Sequence, residues 1–330
     1  MIDWTKKTCL VTGAFGFVGT HLCRDLISRN AKVVALDYLP TPDGTYFGAE
    51  GLHSRSSVLK ADVRRMDELR ILRDFEFDVV FHLAAQPISP LSNLSPDETI
   101  ETNVTGTANV GKALSALPSM PVFVFASSAC YYGATATSPL KEEDPYVEGE
   151  FTYSESKVLS EGEVLKMESL YGIPTIRCRF VNLYGPGDRH FSRIIPKTIR
   201  HLLRGEQPAL TRNNGSTILD FMHVADAVSA LITSAEHGRS VRGEVFNFGI
   251  AGDNPRSAFD MVKLVSRLYG RETDPLIFDP VVPRTKVKFL DNTKATQCLG
   301  WKPQEELEEG LLSTINWYRQ NTNRIEHLDY

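Results

Sequence analysis

The chain has 330 residues, room for one large domain or two modest ones. A net charge of -5 without a long basic run argues against nucleic acid as a partner, and no apolar run reaches membrane-spanning length. With 42% hydrophobic and 23% charged residues the composition is that of a soluble globular protein, and five scattered cysteines, never in C-x-x-C, suit reduced thiols in a cytoplasm rather than disulfides or a zinc site.

The segment Met1–Lys7 leads straight into a strand and leaves no room for a signal peptide. Lys7–Val11 is a short apolar run that reads as a buried strand, and Phe17–Asn30 carries apolar residues at helical spacing. Between them lies Thr12–Gly19, with Gly13, Gly16 and Gly19 in a G-x-x-G-x-x-G pattern. Strand, glycine-rich turn and helix form a layout that holds a dinucleotide. The glycines permit a tight turn, close approach to the pyrophosphate and close helix packing, and the helix N-terminus offers N–H groups to phosphate. Ala31–Asp37 reads as the second strand. Asp37 lies 18 residues after Gly19, near the spacing of a carboxylate that accepts hydrogen bonds from the adenosine ribose, which favours NAD over NADP.

Strand and helix then alternate. Ser57–Asp62, Asp78–Ala85, Pro121–Ser128 and Thr175–Val181 read as strands; Met66–Asp74, Asp97–Leu117 and Tyr153–Tyr171 read as helices. Ser95 and Pro96 suit the cap and first position of the second of these helices. Nearly continuous apolar strands fit a parallel sheet covered on both faces, so the fold class is α/β, a doubly wound Rossmann sheet. After about Gly185 the rhythm breaks. Helices over Ser192–Arg204, Val224–His237, Arg256–Tyr269 and Glu305–Gln320 and a strand over Glu244–Gly249 suggest a smaller C-terminal substrate-binding domain, with some segments returning to the main sheet. The expected division is 1–185, 186–320 and a polar tail, 321–330.

Tyr153 and Lys157 are four residues apart, on one face of a helix. A nearby ammonium favours a phenolate, which makes Tyr153 a base for a hydroxyl proton. Ser128 stands at the C-terminal end of the fifth strand, where open sheets bind ligands, and its hydroxyl can hold a sugar hydroxyl or a developing oxyanion. His82 and His223 read as structural, and Glu142, Glu143 and Asp144 as a solvated acidic run. No cluster has metal-ligand spacing.

These motifs, with Ala61-Asp62-Val63, His82-Leu83-Ala84-Ala85-Gln86, Asn103-Val104-Thr105-Gly106-Thr107, Arg179–Gly187, Asp220–Asp226 and Leu299–Pro303, resemble the extended short-chain dehydrogenase/reductases that modify nucleotide sugars. The resemblance runs from Leu10 to about Tyr318. It implies bound NAD, a nucleotide-diphosphate sugar as substrate, and a homodimer through the helices Asp97–Leu117 and Tyr153–Tyr171. It also implies site roles. Gly13, Phe15, Gly16, Phe17, Val18, Gly19 and Asp37 would hold the cofactor, with Asp62 and Val63 at the adenine. Leu83, Ala84, Ala85 and Asn103 would lie along its path, and Ser128, Tyr153 and Lys157 would form the oxidation triad. Gln86, Asn182, Arg193 and Arg284 would meet the substrate, the last gripping its diphosphate by paired hydrogen bonds. Leu219 departs from the pattern: many relatives have a second diphosphate-binding Arg there, and Arg193 or Arg212 would have to compensate.

The family oxidises the sugar transiently at C4, and the fate of the resulting ketone depends on the residues after Ser128. The 4,6-dehydratases of the family place an Asp-Glu pair there, whereas this chain has Ala129 and Cys130. Simple 4-epimerases need no further acid or base. The segment Ser127–Tyr132 is also similar to that of GDP-mannose 3,5-epimerases, whose Cys exchanges protons beside the 4-keto group. A thiol can do this, because its ordinary pKa, about 8.5, is readily shifted; a small buried thiol is the plain alternative for Cys130. The expectation is an NAD-dependent epimerase inverting C4, or C3 or C5 with Cys130 as acid and base. The alternatives are a dehydratase or other 4-keto-sugar isomerase and, remotely, a non-catalytic dinucleotide-binding regulator.

Overall fold

The computed structural model describes residues 2–133, 138–148, 151–210, 215–250, 256–278 and 287–325. Its apolar runs pair as one seven-stranded parallel sheet: β1 (Thr8–Thr12), β2 (Lys32–Asp37), β3 (Ser57–Lys60), β4 (Val79–His82), β5 (Val122–Ser128), β6 (Thr175–Phe180) and β7 (Val245–Phe248). The spatial order is β7-β6-β5-β4-β1-β2-β3. The chain steps outward from β1 to β3, then returns to β4 on the other side of β1. That reversal opens the crevice in which such sheets take ligands. Thr12, which ends β1, lies opposite Leu36 on one side and His82 on the other.

The principal helices are α1 (Phe17–Ser28), α2 (Gly106–Leu114), α3 (Thr152–Tyr171), α4 (Ile194–Leu203), α5 (Val224–His237), α6 (Ala258–Tyr269), α7 (Thr293–Leu299) and α8 (Leu307–Gln320). One apolar cluster joins Leu22, Leu26, Phe81, Val124 and Leu231 on one face of the sheet; a second joins Leu10, Val80, Phe123, Val164 and Met167 on the other. A third, with Ile199, Phe221, Val265, Leu311 and Tyr318, gathers the C-terminal helices α4, α6 and α8. Among the described residues no helix is long and apolar enough to cross a membrane.

Several expected elements change form. The helix expected over Asp97–Leu117 is three segments: an α turn Pro96–Ile100, a π turn Glu101–Thr105 and α2. Ser95 holds the cap position, but its hydroxyl caps none of the described N–H groups. The stretch expected as Met66–Asp74 is a 3-10 helix, Glu68–Asp74. The start of the tail forms a one-turn helix, Thr322–Ile325, and residues 326–330 lie outside the described residues. The helices Ser89–Leu94 and α7 add to those expected. Glu142 is not a merely solvated acid: it is half-buried, its carboxylate accepts the Asn247 N–H, and burial pushes its pKa up. His223 does cap α5, accepting from the Ala225 N–H.

The loop after β2 reaches across to the C-terminal part. The Tyr46 ring packs on His21 of α1 and edge-on to Trp317 of α8, with centroids 5.4 and 5.3 Å apart. A Cβ at Gly187 would fall 2.3 Å from the Tyr46 ring, so that turn needs a bare backbone. His21 Nε2 bonds the Pro186 carbonyl at 2.7 Å.

Candidate active site

The glycine turn after β1 has the close contacts its spacing implies. Gly13 has a φ of 67°, and a Cβ there would lie 2.8 Å from the Ala84 nitrogen. A Cβ on Gly19 would lie 2.3 Å from the Gly13 carbonyl oxygen, so α1 can sit on the turn only with glycine there. Gly16 is the N-cap of α1, has no side chain to occupy the first-turn N–H groups, and is exposed, with Phe17 and Val18 half-buried beside it. The cradle therefore presents bare backbone and a helix N-terminus, a donor set that suits a pyrophosphate. Asp37 is buried at the end of β2 and accepts from the Phe15 and Leu39 N–H groups, which fixes the turn from below. Burial pushes its pKa up and these N–H groups oppose that.

The crest beyond β4 follows the turn. Leu83, Ala84, Ala85 and Gln86 are half-buried along it. Thr12 Oγ1 accepts from the Leu83 and Ala84 N–H groups, both at 3.2 Å. His82 is buried between two threonines, with Nδ1 2.7 Å from Thr12 Oγ1 and Nε2 3.0 Å from Thr107 Oγ1. Thr107 donates to the Asn103 carbonyl, so Nε2 carries the His82 proton and Nδ1 accepts from Thr12. Burial pushes this imidazole down to about 3, which keeps it neutral.

Asn103 sits in the π turn with its side chain fully engaged. Its Oδ1 accepts from the Gln86 N–H, and its Nδ2 donates to the Gln86 carbonyl and to Ser156 Oγ of α3. The residue thus ties the crest to the helix bearing Tyr153. The Gln86 side chain, expected on a substrate, donates to Thr99 Oγ1 and accepts from the Ile88 N–H. Asp62 is clamped by the Arg64 guanidinium, which holds its carboxyl below the usual range, and Val63 is buried against Gly106.

Ser128, Cys130, Tyr153 and Lys157 come together at the C-terminal end of β5. Ser128 Oγ accepts from the Cys130 N–H at 3.1 Å, and its hydroxyl favours the ionised form of the Tyr153 phenol. Cys130 is half-buried in a 3-10 turn, Ala129–Tyr132. The Lys157 ammonium donates to the Ala126 carbonyl at 2.9 Å and lies 5.7 Å from the centre of the Tyr153 ring. Burial pushes the phenol up, Cys130 adds to this, and the Ser128 hydroxyl and the Arg193 charge oppose it. Helix spacing alone points to Lys157 for that opposition; in the folded chain Ser128 and Arg193 provide it. Lys157 itself is lowered by burial to about 8.

On the far side, Arg193 caps α4 and binds both oxygens of buried Asp188 at 2.9 and 3.0 Å. Asn182 is exposed and donates to the Asp220 carbonyl. Arg284 and Arg212 lie outside the described residues. Sequence reasoning misses the support under Tyr153, whose N–H donates to buried Ser92 Oγ, while the Thr152 N–H donates to Asn93 Oδ1. The serine- and proline-rich Ser89–Leu94 carries no helical periodicity to announce that role.

A family model described as NAD dependent epimerase/dehydratase family matches residues 9–249. The chain is 30% identical over 331 residues to a UDP-N-acetyl-alpha-D-glucosaminuronate decarboxylase of Bacillus cytotoxicus, covering 96% of this chain and 99% of that one. It is 29% identical over 319 residues to a UDP-glucose 4-epimerase of Mycolicibacterium smegmatis, covering 95% and 99%. Its fold matches the crystal structure of a dTDP-glucose 4,6-dehydratase of Bacillus anthracis in complex with NAD, with a TM-score of 0.82, 25% identity and 96% and 98% coverage. These three names stand for three different reactions.

Proposed function

The chain belongs to the NAD-dependent epimerase/dehydratase family, and from that premise we propose that it is a nucleotide-sugar epimerase working through a transient 4-keto sugar. That it is an NAD-dependent enzyme of nucleotide-sugar modification follows from its relatives. The choice of epimerisation is carried by one observation. The turn after Ser128 offers Ala129 and Cys130 to the site, where a dehydratase of this family has its acidic pair.

Bound NAD supplies a hydride acceptor that later gives the hydride back. Gly13, Gly16 and Gly19 leave room for its pyrophosphate, and Asp37 suits its ribose. Tyr153 takes the C4 hydroxyl proton as that carbon becomes a ketone, and Ser128 holds the same oxygen. Ser128 and the Arg193 charge favour the phenolate, and the Lys157 ammonium, anchored on the Ala126 carbonyl, lies 5.7 Å from the ring. Arg193 and Asn182 face the anionic part of the substrate, with Arg284 as the second cation for its diphosphate. A 4-keto group acidifies the protons on C3 and C5, and Cys130 is the group placed to exchange them. Without that exchange the same machinery inverts C4 itself, by returning hydride to the other face.

Heavy water separates the two. Turnover of a panel of nucleotide sugars in deuterium oxide is expected to give an epimer of unchanged formula, carrying deuterium at C3 or C5. Cys130→Ala is expected to cut that uptake by about 10²-fold, the usual contribution of a positioned acid–base group. A product without solvent deuterium assigns inversion to C4. A product lighter by one water or by carbon dioxide overturns the epimerase reading.

A further inference from the structure

Behind the turn that carries Cys130 lies a buried ion pair. The side chains of Arg179 on β6 and Glu161 on α3 are 2% and 3% exposed. They meet twice, Arg179 Nε to Glu161 Oε1 at 2.9 Å and Nη2 to Oε2 at 2.8 Å. Such a pair is poor evidence of a stability role, because desolvating both charges offsets their attraction, and apolar residues of similar volume often serve as well. Glu161 Oε2 also lies 3.5 Å from Arg177 Nη1 on β6, and the remaining contacts of the pair run to the active site. Glu161 Oε1 accepts from Ser127 Oγ at 2.6 Å, one residue before Ser128. The Arg179 guanidinium lies 3.4 Å from the centre of the Tyr131 ring, and Nη1 donates to Tyr132 Oη at 2.9 Å. Tyr132 in turn donates to Asn247 Oδ1, and Arg179 also donates to the Glu142 carbonyl. Tyr131 and Tyr132 follow Cys130 in the same short turn, and Glu161 lies one helical turn beyond Lys157.

We propose that Glu161 and Arg179 are positioning residues: the pair fastens the segment Ser127–Tyr132 to α3, so that Ser128, Cys130, Tyr153 and Lys157 keep one mutual geometry. It rests on the epimerase reading for the substrate with which turnover is measured. Glu161 also acts on Lys157 through space. The ammonium faces Tyr153 and Glu161 from its own helix, the Phe125 ring and Ala126 carbonyl from β5, Cys130 from the turn and neutral His82 from β4. Among these groups Glu161 is the one carboxylate. Burial lowers Lys157, while Glu161 and Cys130 oppose the lowering. Removing the carboxylate charge therefore takes Lys157 further down, and its ammonium is lost at lower pH.

The test uses the NAD-loaded enzyme with a nucleotide sugar that the wild type turns over. In Glu161→Gln, kcat is expected to fall by about 10²-fold, as for a displacement of about 1 Å in reacting groups. KM should stay within about threefold, since ground-state binding is untouched. The alkaline limb of the kcat profile should move to lower pH, and Glu161→Asp should restore most of the rate and the limb. The double variant Glu161→Leu with Arg179→Met should stay folded, Arg177 keeping its bond to the Gly243 carbonyl, and still turn over as slowly as Glu161→Gln. A folded double variant with wild-type kcat overturns the proposal, as does a Glu161→Gln enzyme with the wild-type rate and alkaline limb. If the double variant fails to fold, the Gln and Asp variants decide by the same limb. A substrate-free readout keeps this apart from the functional reading. With Cys298→Ser removing the exposed thiol, alkylation of Cys130 by iodoacetamide should change severalfold in Glu161→Gln, because thiol reactivity follows access and surroundings. An unchanged alkylation rate overturns the positioning role even where no nucleotide sugar is turned over.

Discussion

Tyr153→Phe is expected to lower kcat by about three orders of magnitude while the enzyme keeps its NAD, the middle of the range for loss of a positioned general base. The substitution removes one oxygen and leaves the ring. That ring is buried, and the Tyr153 N–H remains held by Ser92 Oγ, so α3 keeps its place. Ser128 keeps its bond from the Cys130 N–H, so the turn does not drift. The checks are turnover of a nucleotide sugar and the NAD released per chain on denaturation. Near-normal turnover sinks the role of Tyr153, and loss of NAD with loss of activity shows that the phenol holds the cofactor site instead.

Gly13→Ala is expected to remove NAD binding by a different route. A φ of 67° places an alanine in the left-handed region, at a cost of about 1–2 kcal/mol. The new methyl would also lie 2.8 Å from the Ala84 nitrogen, backbone that Thr12 Oγ1 holds in place, and overpacking of this kind costs about 1–3 kcal/mol. If the turn opens to relieve both, the cradle is lost, and NAD affinity should fall by about 10²-fold or more, each tenfold being 1.4 kcal/mol. Gly172→Ala is the control. Gly172 has a φ of 71°, but nothing lies within 4 Å of a Cβ there, so only the backbone cost applies and NAD binding should stay normal. Melting curves and NAD titrations of both variants decide. Equal NAD affinity in the two would show that the approach of Gly13 to Ala84 is not needed.

Sequence reading picks out the parts of the candidate site in which residue type and position are bound together. A left-handed turn beneath a helix needs glycine, so Gly13 and Gly19 stand out in the chain. Tyr153 and Lys157 are linked by helix geometry, and Ser128 by its place at a strand end. It misses what depends on contacts between distant segments. Glu161 and Arg179 meet across 18 positions through an irregular turn, and no periodicity announces them. The inward face of α3 is polar, with Ser154, Ser156, Lys157, Ser160 and Glu161 buried, so apolar spacing gives little warning of how this helix sits. The π turn at Asn103 is equally silent, since one extra residue in a helical turn leaves no compositional mark. The two-residue strands, such as Ile218–Leu219 against Arg256–Ser257, are too short to show alternation.

The reach of Tyr46 to Trp317 bears on how the chain folds as it is made. Trp4 donates to Glu236, β7 closes the edge of the sheet with residues 245–248, and Trp317 arrives only with the last long helix. A nascent chain that has emerged through Ser128 holds the whole glycine cradle and lacks β6, β7 and the ring that seats Tyr46. Contacts this distant in sequence are slow to form, because the chain between them must be ordered first. One apolar face of β5 stays uncovered until α5 has emerged, and the loop beyond β2 lacks its Trp317 partner until α8 has. Apolar surface left open in that interval is the kind that chaperones cover and that aggregates when they do not.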